Sequence, residues 1–280
     1  MPTARVLSGY PSAVPSHSHS SLEAPFHRTP FSATLDRLMD KTRFQITDDI
    51  WLDARRAAWL PNAGVLAVAD LHLGYAWASR REGQLLPVSG QDETINRLAA
   101  LQKDYQPKVL AVLGDIVQRA LPIPQLREEF DRLFASLSTD TTLVLIQGNH
   151  DKNLSLLIES WKFPVQLLDQ YTAEHYLLVH GDGDATASAS WKKAVKAKGA
   201  RILMGHEHPA TVIGDGVASW AKCPCFLVSE KVIILPAFST WAAGTIFPRY
   251  PFMSPLAQSA QFTQAYAILA DKILPMPYGR

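Results

Sequence analysis

Short apolar runs recur along this chain, and five of them end in polar residues. The runs are VLAVAD, VLAVLGD, TLVLIQGNHD, YLLVHGD and RILMGHEH. Continuous segments of Val, Leu, Ile and Ala of this length are typical of strands buried on both faces, as in a sheet covered by helices. Open α/β folds bind ligands beyond the C-terminal ends of such strands. We therefore predict that the five polar ends converge on one site.

The rest of the pattern predicts a layered fold. Residues 44–60 are typical of short strands. Periodicity predicts helices over 92–105, 125–137, 154–161 and 188–198, and strands over 109–113, 142–147, 176–179 and 201–204. The later segments CFLVSE, KVIILPAF and AYAILA predict strands that are not separated by long helices, as in a second, more antiparallel sheet. We therefore expect an α/β fold, a four-layer α/β/β/α sandwich of two mixed sheets flanked by helices.

The N-terminal segment differs in composition from the rest. Residues 1–43 are rich in Pro, Ser, Thr and His and lack clear periodicity. Such a segment cannot bury enough apolar surface to offset its ordering entropy. We therefore predict a flexible N-terminal extension over residues 1–43 and a single domain over residues 44–280.

Composition and charge exclude several classes of protein. The 280 residues are 47% hydrophobic, which is ample for a packed core, and the formal net charge of +1 does not indicate a protein that coats nucleic acid or a membrane surface. Two cysteines are too few for a disulfide framework. No apolar stretch is long enough to span a membrane, and a signal peptide's apolar core is missing, so we expect a cytoplasmic enzyme with no membrane partner.

The polar strand ends supply the donors of a two-metal centre. Two divalent cations about 3.5 to 4 Å apart need a bridging carboxylate together with oxygen and imidazole ligands. Asp115 is the natural bridge because one carboxylate has two oxygens, and glycines before several of the ligands let the backbone turn sharply. The candidate ligands are Asp70, His72, Asp115, Asn149, His180, His206 and His208.

These motifs, in this order, resemble the five motifs of the calcineurin-like metallophosphoesterases. The resemblance implies a division of the ligands between two ions. One ion would be held by Asp70, His72, Asp115 and His208, and the other by Asp115, Asn149, His180 and His206. It also implies that His150 donates a proton to the leaving oxygen or stabilises charge on the phosphate, with Asp151 orienting it.

Local sequence narrows the resemblance further. The segments VADLHLGYAWASRREGQLLP, GHEHP and ILPAFSTWAAGT are similar to the small bacterial and archaeal DNA-ligase-associated PdeM-type phosphoesterases. This similarity implies a phosphodiesterase that acts on single- or double-stranded DNA, with a link to a DNA ligase, a helicase and DNA repair. We expect manganese as the cofactor, with iron and zinc as alternatives, and a metal-bound hydroxide as the nucleophile.

Other residues are candidates for substrate contact. Arg80 and Arg81 follow the first motif closely, and guanidinium groups suit phosphate oxygens; a solvated turn is the alternative. The lysines of the predicted helix at 192–198 could follow a nucleic-acid backbone or simply face solvent. Trp77 could stack a nucleobase or pack in the core.

Two other functions stay open at this point. The same centre could serve a phosphomonoesterase or nucleotide hydrolase, and the fold could serve as a non-catalytic interaction module. The complete set of candidate ligands, together with His150, favours an enzyme.

Overall fold

The computed structural model has two mixed sheets flanked by helices, which confirms the predicted fold class. It describes residues 42–87, 89–183, 189, 192, 199–214 and 220–278. None of the described helices combines the length and the apolar character that crossing a membrane requires.

The first sheet is built from the N-terminal half of the domain, and its strands lie in chain order. They are β1 (Arg43–Thr47), β2 (Ile50–Asp53), β3 (Ala57–Leu60), β4 (Val65–Val68), β5 (Val109–Leu113), β6 (Thr142–Ile146) and β7 (Leu167–Leu168). Strands β1 to β4 pair antiparallel, and β4 to β7 pair parallel. The short strands predicted within 44–60 and the strand predicted over 109–113 are confirmed.

Helices cover the outer face of this sheet. They are α1 (Tyr75–Arg81), α2 (Ser89–Tyr105), α3 (Pro124–Ala135) and α4 (Leu154–Trp161). Buried apolar side chains of α2, α3 and α4 pack with β4 and β5 in one cluster, for example Leu98, Phe130 and Ile158. Helix α1 lies in a stretch for which we predicted no element. It has seven residues and buries only small side chains, so it lacks the large apolar stripe by which helices are recognised in sequence.

The second sheet is built from the C-terminal half. Its strands are β8 (Tyr171–Ala173), β9 (Tyr176–Val179), β10 (Arg201–Met204), β11 (Pro209–Gly214), β12 (Trp220–Ser229), β13 (Val232–Ile234), β14 (Thr245–Ile246), β15 (Phe262–Leu269) and β16 (Lys272–Pro277). Strands β9, β10 and β13 are parallel neighbours, and most other pairs are antiparallel, as predicted. A short helix, α5 (Pro255–Gln258), packs against the outer face.

The two sheets enclose one apolar core, and their strand ends meet. Ala111 and Leu113 of β5 share this core with Leu178 of β9 and Leu203 of β10. Beyond β13, the N–H of Phe238 donates to the carbonyl of Ala69 at 2.7 Å, which joins the second sheet to the end of β4. The C-terminal ends of the parallel strands of both sheets therefore border the same space.

One predicted boundary differs from the structure, and two predicted segments lie largely outside the described residues. Strand β1 begins at Arg43, one residue inside the segment that we assigned to the extension. Residues 1–41 lie outside the described residues, and so does the predicted helix over 188–198 apart from residues 189 and 192. The division into an extension and a domain therefore stays a prediction.

Candidate metal centre

All seven candidate ligands lie just beyond the ends of parallel strands, and the structure brings them together. The first sheet supplies Asp70 and His72 after β4, Asp115 after β5 and Asn149 after β6. The second sheet supplies His180 after β9 and both His206 and His208 after β10. The cluster thus draws donors from both sheets, across the seam between them.

One group of donors lies around His72. Its Nε2 is 3.2 Å from Nε2 of His208, which in turn is 3.4 Å from Oδ1 of Asp70. Ligand atoms of these residues and of Asp115 all lie within 4.8 Å of one another. Such spacings suit donors that share a cation at bond lengths of about 2.0 to 2.2 Å.

A second group lies around His180. Its Nε2 is 3.1 Å from Oδ1 of Asn149 and 3.1 Å from Nδ1 of His206. Oδ1 of Asp115 is 3.4 Å away from the same nitrogen. This group holds the three side chains that, with Asp115, the resemblance assigns to the second ion.

Asp115 lies between the two groups. Its Oδ1 faces His180, whereas its Oδ2 is 3.9 Å from Nε2 of His72. The backbone N–H of His150 donates to Oδ1 at 2.9 Å and fixes the carboxylate in this orientation. One carboxylate therefore presents one oxygen to each group, which is the geometry that a bridge requires.

The surroundings of His180 suit an imidazole ligand of a cation. Its Nδ1 is 3.1 Å from the carbonyl of Leu113, which can accept an Nδ1–H bond and orient the ring. In the tautomer with its proton on Nδ1, the lone pair of Nε2 points toward the Oδ1 atoms of Asn149 and Asp115. Acceptors that face one another at this range repel unless a cation lies between them. The oxygen and imidazole donors suit divalent manganese, iron or zinc.

The electrostatics of the metal-free cluster favour the ligand forms of Asp70, His72 and His206, whereas the pKa values of Asp115 and His208 are raised, which favours their protonated forms. Burial lowers the pKa of His72 to about 3, so its imidazole is neutral at physiological pH. Burial also lowers the pKa of His206. Burial alone would raise the pKa of Asp70, but the imidazole of His208 leads a set of neighbours that lower it overall. Burial raises the pKa of Asp115, and the nearby charge of Asp70 adds to this effect against the opposing influence of His180.

The backbone at the cluster is strained. Five candidate ligands have a left-handed φ, between 45° and 69°, namely Asp70, His72, Asp115, His206 and His208. A non-glycine residue in this region is uncommon and persists only where the surrounding structure holds it, typically at functional sites. The strand ends are therefore bent to direct these side chains inward.

Glycines let the strand ends approach closely. A Cβ atom on Gly114 would overlap the ring of His180, and one on Gly148 would overlap the backbone nitrogen and the carboxylate of Asp115. A Cβ on Gly205 would lie 2.6 Å from Oδ2 of Asp70. We predicted that these glycines allow sharp turns; in the structure they also leave space for the donors.

His150 and Asp151 differ from our expectation in one respect. Nδ1 of His150 lies 3.0 Å from the backbone carbonyl of Gln118, so this carbonyl orients the ring. Asp151 does not orient the ring, because its carboxylate accepts backbone N–H bonds from Ile116, Val117 and Gly148 instead. It is also fully buried, so it cannot touch a substrate. Asp151 is therefore a positioning residue that ties the loop after β5 to the loop after β6.

Two buried glutamates at the site escaped the sequence reasoning. Glu129 of α3 accepts the N–H of Gly74 at 2.7 Å and the indole N–H of Trp77 at 3.0 Å, which anchors the start of α1 next to His72. Glu207, between His206 and His208, accepts the backbone N–H groups of Met253 and Ser254. The position of Glu207 between two candidate ligands could have identified it from the sequence. Glu129, in contrast, cannot be distinguished in the sequence from any other polar residue of a surface helix.

Glu129 predicts a measurable pH dependence of stability. Burial raises its pKa to about 7, against an unfolded value of 4.5, although the N–H of Gly74 and the indole of Trp77 oppose the shift. The folded state thus binds this proton more tightly, and stability is lost as the pH rises from about 4.5 through 7. Between pH 5 and pH 8, the unfolding free energy of the wild-type protein should fall by about 3 kcal/mol more than that of Glu129→Gln. Urea titrations at the two pH values measure this difference. An unchanged pH dependence would contradict this role for Glu129.

The residues predicted to contact substrate differ in their exposure and in their contacts. Arg80 is exposed, lies with its guanidinium carbon 4.7 Å from the ring centroid of Trp77 and donates to the carbonyl of Leu86. The indole N–H of Trp77 donates to Glu129, and base stacking by its partly buried ring stays a prediction. Arg81 and Lys192 are exposed, and the other lysines of the 192–198 segment lie outside the described residues. Substrate contact by Arg80 or Arg81 stays a prediction.

The family follows from the sequence around this cluster. Residues 64–231 match the family model of the calcineurin-like phosphoesterases, a span that holds every candidate ligand from Asp70 to His208. The chain belongs to this family. As a calcineurin-like phosphoesterase it is a hydrolase of phosphoester bonds, and the donor cluster is its candidate site for divalent metals.

A solved structure resembles this phosphoesterase over most of its length. The crystal structure of the Pseudomonas putida nuclease MPE aligns with a TM-score of 0.58 and 25% sequence identity, covering 81% of this chain and 94% of the nuclease. No curated protein sequence matches the chain.

Proposed function

We propose that this phosphoesterase is a phosphodiesterase that hydrolyses nucleic acid with two divalent metal ions. The observation that carries the proposal is the Asp115 carboxylate, which presents one oxygen to the donors around His72 and the other to those around His180. The similarity to the nuclease MPE supports nucleic acid as the substrate class. The seven donors from Asp70 to His208 would hold the ions.

The residues of the chain suit phosphoester hydrolysis. When bound, divalent ions supply a nucleophile at neutral pH and neutralise charge on the phosphoryl oxygens. His150 is half-buried, its Nδ1 is held by the carbonyl of Gln118, and its Nε2 lies 3.9 Å from Oδ2 of Asp115. Its Nε2 can therefore carry a proton at the edge of the cluster and pass it to the leaving oxygen. The fixed loops around Asp151 keep this geometry.

A substrate panel tests the proposal. We expect purified protein with Mn²⁺ to hydrolyse single-stranded DNA and the chromogenic diester bis(p-nitrophenyl) phosphate faster than the monoester p-nitrophenyl phosphate, with no turnover in EDTA. Gel assays of labelled DNA and absorbance of nitrophenolate measure the rates. A preference for the monoester would instead support the phosphomonoesterase. Metal binding without turnover on any substrate would support the interaction module.

His150→Ala supplies the matched variant for this panel. His150 is outside the seven proposed ligands, so we expect metal content, measured by elemental analysis, to stay at the wild-type level. Turnover should fall about 10²- to 10⁴-fold, because a positioned acid contributes that much. If turnover stayed at the wild-type rate, His150 would not be the proton donor.

We also propose three finer properties of this phosphoesterase. They are manganese as the native ion, a role in DNA repair together with a ligase and a helicase, and a cytoplasmic location. They are supported by the resemblance of the motifs and by the composition of the chain.

A further inference from the structure

We propose that a cleft beside His150 binds the nucleotide on the leaving-group side of the scissile bond, with Lys152 contacting its phosphate. This inference rests on the proposed function and assigns a substrate subsite to it. The His150 cleft has a volume of about 430 Å³ and is lined by Gln118, Arg119, Leu121, His150, Lys152 and Asn153, with Asn149 and Ala120.

The position of the cleft connects it to the chemistry. Asn149 and His150 form one wall, so the cleft opens directly on the donor cluster. His150, the proposed proton donor, must lie next to the leaving oxygen, and the nucleotide that carries this oxygen must continue away from the cluster. The cleft is the space on that side of His150, and its volume is in the range of small-ligand sites.

The charges in the cleft single out Lys152. Arg119 lies 3.0 Å from the carboxylate of Glu82, so its charge is partly compensated. Lys152 is exposed, and among the residues that the structure describes it has no acidic partner within ion-pair distance. An uncompensated ammonium group at the mouth of an anion-processing site attracts a phosphate of the substrate.

A second cleft, on the other side of the cluster, is a poorer site for a phosphate. It is lined by His208 and has a volume of about 200 Å³, half the size of the His150 cleft. Its two cationic side chains are engaged by backbone carbonyls: Arg56 donates to Ala237 and Ser239, and Lys222 donates to Gly244 at 2.6 Å. The structure therefore favours the His150 cleft for the substrate strand.

Three lysine variants test the assignment. Lys152→Gln removes a positive charge from the His150 cleft, and Lys222→Gln removes one from the opposite cleft. Lys103→Gln removes the same charge from the end of α2. This position lies just before β5 begins, and hence at the far edge of the sheet. For each variant, kcat/KM is measured on a single-stranded oligonucleotide and on bis(p-nitrophenyl) phosphate, which lacks a second phosphate. Binding of the fluorescent oligonucleotide to metal-free protein is measured by anisotropy as a readout independent of turnover.

We expect Lys152→Gln to lower kcat/KM on the oligonucleotide about fivefold more than on the small diester, and to weaken oligonucleotide binding by a similar factor. The slope of log affinity against log salt should fall by about 0.7 in magnitude, as for one lost phosphate contact. Lys103→Gln and Lys222→Gln should alter the ratio of the two substrates less than twofold.

Two outcomes would overturn the subsite while leaving the proposed function intact. One is an oligonucleotide effect of Lys152→Gln that equals the effect of Lys103→Gln. The other is a larger effect of Lys222→Gln, which would place the strand in the opposite cleft. Failure of the wild-type protein to cleave any diester would instead overturn the proposed function, and the subsite with it.

Discussion

Asp115→Asn will abolish metal-dependent hydrolysis, with a loss of at least about 10³-fold in kcat/KM. The carboxylate presents one oxygen to each donor group, so its replacement weakens both proposed ion sites at once. Cations that polarise a phosphoryl group supply several kcal/mol, and each 1.36 kcal/mol is tenfold in rate. Elemental analysis should show fewer than two ions per chain, and added Mn²⁺ should no longer raise the melting temperature.

The metal-free Asp115→Asn protein should remain folded. The amide oxygen of Asn can still accept the N–H of His150, and the substitution removes a buried carboxylate whose pKa burial raises. Circular dichroism of the metal-free proteins measures this. Asp131→Asn, at an exposed carboxylate of α3 paired with Arg127, is the control and should keep wild-type turnover. Full metal-dependent activity in Asp115→Asn would contradict the assignment of Asp115 as the bridging ligand.

The strand ends of this fold are predictable for a simple physical reason. Strands such as β5, β9 and β10 are buried on both faces, so their sequences are continuous apolar runs that stop abruptly where the backbone reaches the site. The polar residue after each run is then the candidate donor. This reasoning located β5 residue by residue and led to all seven donors in the cluster.

The division of the strands between two sheets is harder to read from sequence. A buried run does not reveal which strand it pairs with. We expected the five polar ends to converge, and they do, but Asp115 and Asn149 arrive from one sheet and His180 and His206 from the other. The convergence across the seam depends on packing of the two inner faces, which is a property of the tertiary structure.

The hydrogen-bond partners of His150 and Glu129 could not be predicted from the sequence. The ring of His150 is held by the backbone carbonyl of Gln118, and every residue type has such a carbonyl. We assigned this task to Asp151 because it is the adjacent acidic side chain. Similarly, Glu129 meets Gly74 from 55 positions away along the chain, and no local pattern marks such a contact. Residues that act through long-range hydrogen bonds become visible only in the fold.

Gly148→Ala will separate the effect of packing from the effect of ligand chemistry. Gly148 is not a ligand and does not adopt a left-handed φ, so alanine causes no backbone strain there. The added methyl group would nevertheless overlap the carboxylate of Asp115 and lie 3.0 Å from Nε2 of His180. Because a displacement of about 1 Å at a reacting centre can cost 10²-fold, we expect turnover to fall by about that factor. Metal affinity, measured by titration with Mn²⁺, should fall as well.

Gly183→Ala is the matched control for this variant. Gly183 also lacks a left-handed φ, follows His180 in the same motif, and has no described atom within 4 Å of an added Cβ. We expect its turnover and metal affinity to stay within about twofold of wild type, since open space imposes no overpacking cost. Equal losses in the two variants would show that any added methyl group near these loops is harmful. Wild-type behaviour of Gly148→Ala would mean that the donors around Asp115 tolerate movement, which contradicts a centre whose geometry is fixed by close packing.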